Sequence, residues 1–444
     1  MPPKRVVIVG GGLTGLSAAY YLEQSTDCEI TLLEPGPLGG KVATTRENGC
    51  PLELGPDCFF ARKPEAMELI RALGIEDEVI EPKSSGFSIL ADGELHQVPP
   101  SIINFSALDW PASDQVAFLS PNGKERAKLE PGQPQGSGED ESIASFFRRR
   151  FGEEFSRMVV EPLMAGTHGG RAETLSVRAL YPNYMELEQK QGSLNLERKD
   201  GSIPSENNAT KMEIPKPPPG FLSLKQGMGF LPNSLAGSLT RTTINRAAAR
   251  TLTAASVETD DSTVEADFVL CTAPSFATAA LLKKSAPKLA AKLGELEFVG
   301  SRIVTFCFNR ADIGNEMRGT GFLVPQGEDD VISGCTYASE KWERRAPSDK
   351  VILRVFLRGD ENQALPRIKQ LLNIQNEPLF CRPSTWDKAL PQYKVGHLDW
   401  LKDLEAELAN HPWLLLAGAS YKGVGVPDCI RQGREAAAKI AERL

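Results

Sequence analysis

The first thirty-four residues constrain this chain more tightly than any other stretch. Arg5 to Val9 (RVVIV) is a short β-branched run of the kind buried in a parallel sheet. It leads into Gly10, Gly12 and Gly15 in GxGxxG spacing, then the helix-like LSAAYYLEQ, then a second strand, Glu29 to Leu33, ending on Glu34. Each glycine meets a separate demand. Gly10 permits a tight turn, Gly12 lets backbone approach a pyrophosphate, and Gly15 lets the helix pack closely on the strand. The helix N-terminus offers unpaired N–H groups and the positive end of its dipole to phosphate. Glu34, about 20 residues past Gly15, is placed to accept ribose hydroxyls and to repel a 2′-phosphate. Glycine-rich turns alone are common. Strand, loop, helix, strand and acid in this order are not, and they predict a Rossmann-type unit with Gly10, Gly11, Gly12, Leu13, Thr14 and Gly15 around a dinucleotide.

The next residues favour FAD over NAD. Pro37-Leu38-Gly39-Gly40-Lys41 follows the acid at once, and Gly55-Pro56-Asp57-Cys58 comes soon after. A small-residue turn here lets the chain pass the cofactor a second time, whereas an NAD domain normally proceeds to its next βα unit.

At 444 residues the chain is too long for one core and suggests two or three domains. A net charge of -8 argues against a nucleic-acid partner, which needs a basic face. No run reaches the roughly 18 apolar residues of a membrane span. Eight cysteines stand singly without CxxC spacing, and the four histidines are scattered, so a metal site is not expected. The N-terminus enters a strand with no signal-type apolar region, and these features together fit a cytoplasmic protein.

Further nucleotide-domain pieces appear downstream. KQGMG (225–229) opens the helix-like FLPNSLAGSL, followed by strand-like TTIN, ASVET and DFVLCTA. Near the end LLLAG (414–418) reads as a buried strand, then ASYKGVGVPDC, then a helix from Ile430 to Leu444. That helix is either a packing element behind a glycine turn or a flavin contact, its N–H groups stabilising negative charge on the reduced ring. The organisation expected is α/β: a discontinuous Rossmann-type FAD-binding domain (1–85, 216–294, 406–444), a helical insertion (86–215) and a mixed-sheet α+β substrate domain (295–405). In the insertion, Arg148, Arg149 and Arg150 sit among Phe146, Phe147 and Phe151. Such a cluster is either a solvated face backed by core or a peripheral contact with anionic lipid at the inner membrane face. Residues 120–142 and 195–220 are polar and read as exposed loops.

Taken in order, GGGLTGLSAAYYL, ELGPD, SIASFFRRRFGEEFSRMVVEPLMAGTHGG, LSVRALYPNYMELEQKQGSL, KQGMGFLP and LAGASYKGVGVPDCIRQG resemble the oxygen-dependent protoporphyrinogen and coproporphyrinogen oxidases of haem synthesis, within the flavin amine-oxidase superfamily. The likeness spans nearly the whole chain. It implies an enzyme that removes six electrons from a porphyrinogen in three flavin cycles, each passing electrons to oxygen and yielding peroxide. Flavin N5 would accept the hydride, with no protein nucleophile or metal. By resemblance, Lys41 and Gly55, Pro56, Asp57 and Cys58 lie along the cofactor, and Ala248 gives adenine a backbone contact. Ala419, Val424, Gly425 and Val426 meet the isoalloxazine ring.

The chain departs from the pattern in three places. Pro37 replaces the arginine of an RxGG motif, and Arg171 follows His168-Gly169-Gly170 where an acid or amide is usual. Ser85 or Gly86 stands where several relatives place a propionate-binding arginine. Arg171 and Arg178 are the candidates for a compensating cation, or else ordinary surface ion pairs. Two further readings stay open: a diverged amine oxidase or carotenoid-desaturase-like dehydrogenase, and a flavin- or tetrapyrrole-binding protein without turnover.

Overall fold

The structure is a computed structural model that describes residues 3–99, 102, 116–194 and 220–444. Most of the second expected loop, 195–219, lies outside the described residues. The chain divides into two compact units, one formed by 1–81, 218–298 and 398–444, the other by 82–217 and 299–397.

The first unit is built on a parallel sheet of five short strands. In spatial order they are Thr242–Asn245, Glu29–Leu33, Arg5–Val9, Phe268–Cys271 and Leu414–Leu416. All four pairings are parallel, with Val6 opposite both Ile30 and Phe268. Side chains alternate between two separate cores. Val6, Ile8, Ile30, Leu32, Leu270 and Leu415 pack on one face. Val7, Val9, Leu33, Val269, Cys271 and Leu414 pack on the other. Burial on both faces is why Arg5–Val9 and Phe268–Cys271 read as apolar runs, whereas the edge strand Thr242–Asn245 (TTIN) has no buried residue. The strands come from three distant stretches, as the expected discontinuous domain requires. TTIN joins this sheet, whereas ASVET (Ser256–Thr259) joins a small antiparallel sheet with Ala249–Leu252 and Thr263–Glu265.

Two helices cross the first core, Leu13–Ser25 and the C-terminal Val426–Ala441. Gly433 lets them approach, since a Cβ there would lie 2.5 Å from the Thr14 carbonyl oxygen. The C-terminal helix begins four residues before the expected Ile430. Pro427 pre-sets the first turn, and Asp428 accepts the Gly425 N–H at 3.2 Å, which closes a helical start upstream of Ile430.

The second unit is a seven-stranded mixed sheet with helices. Its order is Phe380–Pro391, Phe298–Asn309, Lys350–Leu357, Ile332–Tyr337, Gly321–Leu323, Phe87–Ala91 and Glu94–Val98. The hairpin 87–98 therefore belongs to the mixed sheet, joined by parallel pairing of Phe322 with Ser88.

Residues 120–142 are not a simple exposed loop. Ser120 caps a helix, Pro121–Lys128, and the chain then turns Glu130 completely inside. Glu130 meets Arg150, which is also completely buried and donates from Nε at 2.7 Å. Ser193 Oγ and the Leu194 N–H complete the carboxylate's bonding at 2.6 and 2.9 Å. Arg149 pairs with Glu141 and Glu188, and Arg148 with Glu153, Glu161 and Glu173. Phe146, Phe147 and Phe151 are core residues: Phe147 stacks on Phe151 and meets Phe146 and Tyr184 edge-on, and Phe151 packs tilted against Phe155. The phenylalanines are thus core, Arg150 is sealed beside them, and Arg148 and Arg149 keep 33% and 28% of their side chains exposed next to their carboxylates. An arginine enters a core only when its donors are met, and here carboxylates and carbonyls from 130–134, 188 and 192 meet them. Among the described residues no helix is long and apolar enough to cross a membrane.

Candidate active site

The site is assembled in the first unit at the carboxyl ends of the parallel strands, where open α/β sheets hold ligands. Gly10 has φ +111°, and its N–H donates to the Leu33 carbonyl at 2.9 Å, tying the first two strand ends together. Thr272, just past the strand Phe268–Cys271, donates its hydroxyl to the Val9 and Gly10 carbonyls at 3.1 and 2.9 Å. A Cβ at Gly15 would stand 2.0 Å from the Gly10 carbonyl oxygen, so the loop and first helix are in backbone contact. Gly12 differs. It begins the helix at φ -72°, and a Cβ there would meet nothing within 4 Å. No side chain caps this helix and no acid stands in its first turn. The first-turn donors, with Leu13 and Thr14 among them, face the kind of opening a phosphate occupies.

Glu34 organises the next layer. Its two carboxylate oxygens accept the Gly11 and Gly36 N–H groups, each at 2.8 Å, and each oxygen keeps a further lone pair. The Glu34 N–H donates to Asn245 at 3.0 Å, and Arg246 reaches the Gly36 carbonyl at 2.6 Å. Ala248, two residues on, is half-buried.

The second pass of the chain is present. The Gly39 N–H donates to the Gly11 carbonyl at 2.8 Å, and Gly40 would carry a Cβ only 3.3 Å from Gly12 Cα. Lys41 follows. A Cβ at Gly55 would stand 1.9 Å from the Lys41 carbonyl oxygen, so 41 and 55 are held together by backbone packing. Burial lowers the Lys41 ammonium pKa. Pro56, Asp57 and Cys58 are half-buried, and the Asp57 carbonyl is anchored by Ser223 Oγ at 2.7 Å.

The C-terminal segment closes over the first loop. Gly418 (φ +123°) lies beside Thr272 and Thr14. Ala419, Val424 and Gly425 are half-buried, and Val426 is buried at the start of the last helix. Gln432, almost fully buried, accepts the Gly418 and Lys422 N–H groups and donates to the Gly423 carbonyl, all at 3.3 Å. Burial pushes the Cys429 thiol up to about 11, against a hydrogen bond with Thr14. Every expected cofactor residue falls in one unit. Gln432 and the Lys63–Asp428 pair escaped the sequence reading. Thr272 had a signal in its place after a buried strand. Gln432 had none.

This cradle suits a flavin dinucleotide in three ways: an open Gly12, an uncapped first helix, and an acid with lone pairs to spare. A profile of the flavin-containing amine oxidoreductases matches residues 13–441. The chain belongs to that family. Its likeness to coproporphyrinogen III oxidase of Bacillus subtilis is 32% identity over 461 residues, 98% of this chain and 97% of the relative. Coproporphyrinogen III oxidase of Staphylococcus aureus is 30% identical, covering 99% of this chain and all of that one. A crystal structure assigned as a protoporphyrinogen oxidase, from Exiguobacterium sp. 255-15, superposes with a TM-score of 0.85 at 32% identity over 100% of both chains. Within the amine oxidoreductases, this chain is a flavin-dependent oxidoreductase of the coproporphyrinogen and protoporphyrinogen oxidase branch. Among the described residues no group of three or more His, Cys, Asp or Glu side chains is arranged to hold a metal.

Of the candidate compensating cations, Arg171 is largely exposed and pairs with Glu173 at 3.7 Å. Arg178 donates to the Gly138 carbonyl.

Proposed function

We propose that this protein is an FAD-dependent oxidase of a porphyrinogen, either coproporphyrinogen III or protoporphyrinogen IX, with oxygen as the electron acceptor, acting in haem synthesis in the cytoplasm. The observation that carries this reading is full-length similarity to coproporphyrinogen III oxidases together with a glycine cradle intact at each position the cofactor needs. Bound FAD supplies a hydride acceptor whose electrons oxygen removes as peroxide.

The protein's part is binding and placement. Gly10, Gly11, Gly12, Leu13, Thr14 and Gly15 hold the pyrophosphate against the first helix N-terminus. Glu34 takes the adenosine ribose, and Ala248 offers its backbone to adenine. Lys41 and residues 55–58 run along the dinucleotide. Ala419, Val424, Gly425 and Val426 meet the ring system, where the last helix's N-terminus stabilises negative charge.

The test is anaerobic mixing of the purified yellow protein with each reduced porphyrinogen in turn. Bleaching of the flavin's visible absorbance by one of them, with porphyrin fluorescence on admitting air, is the expected result and selects the substrate. A flavin that stays oxidised with both would remove the porphyrinogen reading.

A further inference from the structure

Asp428 lies in the first turn of the C-terminal helix, packed under the turn proposed to face the flavin ring. Its carboxylate accepts the Gly425 N–H at 3.2 Å, and a Cβ on Gly423 would be only 2.5 Å from its Cγ. The side chain is nine-tenths buried. As a cap it is favourable. As a charge it is favoured by the helix dipole but offsets that dipole's positive end, at the place where negative charge must grow when a flavin is reduced.

Lys63 cancels that charge. It comes from 365 residues earlier in the chain and donates to both carboxylate oxygens, at 2.7 and 2.8 Å. Nothing in its own neighbourhood, Phe60-Ala61-Arg62-Lys63-Pro64, requires it to reach the last helix. The other charges around Asp428 largely answer one another. Arg431 stands 3.7 Å away, but pairs with Glu435 at 2.9 Å, lies 3.9 Å from Glu65, and donates to the Lys422 carbonyl at 2.7 Å. Lys422 is paired with Glu405 at 2.6 Å. Burial leaves Cys429 protonated at neutral pH and lowers the Lys41 ammonium pKa. Lys63 is therefore the cation that decides whether the turn presents a neutral or a negative end.

We propose that Lys63 and Asp428 form a charge pair that sets the reduction potential of the bound flavin, acting through the turn Gly423–Val426 without touching the reacting atoms. The proposal rests on the flavin placement given above. Lys63→Met leaves the carboxylate with only the shared and more distant Arg431, so the turn presents a more negative end and disfavours the reduced flavin. Asp428→Asn keeps the shape and the acceptor for Gly425, leaves the lysine charge, and favours it. The double variant restores neutrality.

The experiment is dye-mediated anaerobic titration of the flavin in the holoenzyme and its three variants. The expected change is about tenfold in the reduction equilibrium per single variant, or about 30 mV for a two-electron couple. Lys63→Met should fall, Asp428→Asn should rise, and the double should return to the native value. A purely structural pair would weaken flavin retention or lower the melting temperature with no opposed shift. Unchanged potentials, or two singles shifting in the same direction, would overturn the proposal. Wild-type protein isolated without flavin absorbance would overturn both it and the placement. The mediator is a dye, so the readout does not depend on which porphyrinogen is the substrate.

Discussion

The glycine loop at 10–15 and the arginine run at 148–150 are equally conspicuous in the sequence, yet only the first can be read from its own neighbourhood. A glycine's role is written in backbone geometry a few residues away. Gly10 turns, Gly15 touches the Gly10 carbonyl, and Gly12 borders open space. An arginine's role is written in its partners, and those of Arg150 lie at 130–134, 188 and 192. The loop makes its claim by short-range sterics. The arginine run makes none until the chain is folded, when one of three adjacent arginines is sealed in a core and another is a third exposed.

The largest effect should come from opening the sealed arginine. Arg150→Met removes the cation between Glu130 and Glu188, both buried, leaving Glu130 without a cation and Glu188 with Arg149 alone. A loss of about 3–5 kcal/mol is expected in chemical denaturation of the second unit. A loss below about 1 kcal/mol would mean that water reaches this network and that the helical segment is a surface after all.

Gly15→Ala should come next. Alanine favours a helix over glycine by up to about 1 kcal/mol, so propensity alone predicts a gain. The 2.0 Å approach to the Gly10 carbonyl predicts a net cost of about 3 kcal/mol together with loss of flavin. Gly12→Ala sharpens the contrast. Its backbone already suits alanine and its Cβ meets nothing, so the flavin-free protein should be unchanged or gain about 0.4–1 kcal/mol. Flavin affinity should still fall at least tenfold, seen by equilibrium dialysis. If Gly12→Ala binds normally, the pyrophosphate does not lie where the loop places it.

How much of the molecule was legible follows the same division. The central Rossmann strands Arg5–Val9 and Phe268–Cys271 were readable because burial on both faces leaves them almost wholly apolar. The second pass at Gly39 and Gly40 was readable because only small residues tolerate it. The hairpin 87–98 was read with the helical insertion, since its parallel partner Phe322 is over 200 residues away. The segment 120–142 reads as loop by composition, and what orders it is Arg150. The glycine loop at 10–15 and the closing segment at 419–426 were written in local sequence, whereas the Lys63–Asp428 contact joins residues 365 positions apart and no local pattern encodes it.

Acid should distinguish the two regions more gently. Burial pushes the Glu188 carboxyl up, but hydrogen bonding from Arg149 and the charges of Arg149 and Arg150 outweigh it, leaving it below the ordinary glutamate value. A carboxylate depressed in the folded state adds stability above its unfolded value and loses it as pH falls through the folded one. The second unit should therefore weaken progressively below about pH 4.3. Denaturation midpoints between neutrality and pH 3 should fall less steeply in Glu188→Gln than in wild type. Equal slopes would show that Glu188 is not held charged by its arginines.

The smallest effect closes the comparison within a single helical turn. Arg148 touches three carboxylates, Glu153 at 3.1 Å, Glu161 at 2.9 Å and Glu173 at 3.4 Å, more than either neighbour touches. Counted by contacts it should matter most. Its side chain is 33% exposed, however, and so are most of the groups it meets, so water replaces what is lost when it is removed. Arg148→Ala should cost less than about 1 kcal/mol, and less still at high salt. A cost rivalling that of Arg150→Met would mean that ion-pair number outranks burial in this helix. The two arginines differ little in sequence context, so the measured gap between them is a direct reading of what enclosure adds to a charge.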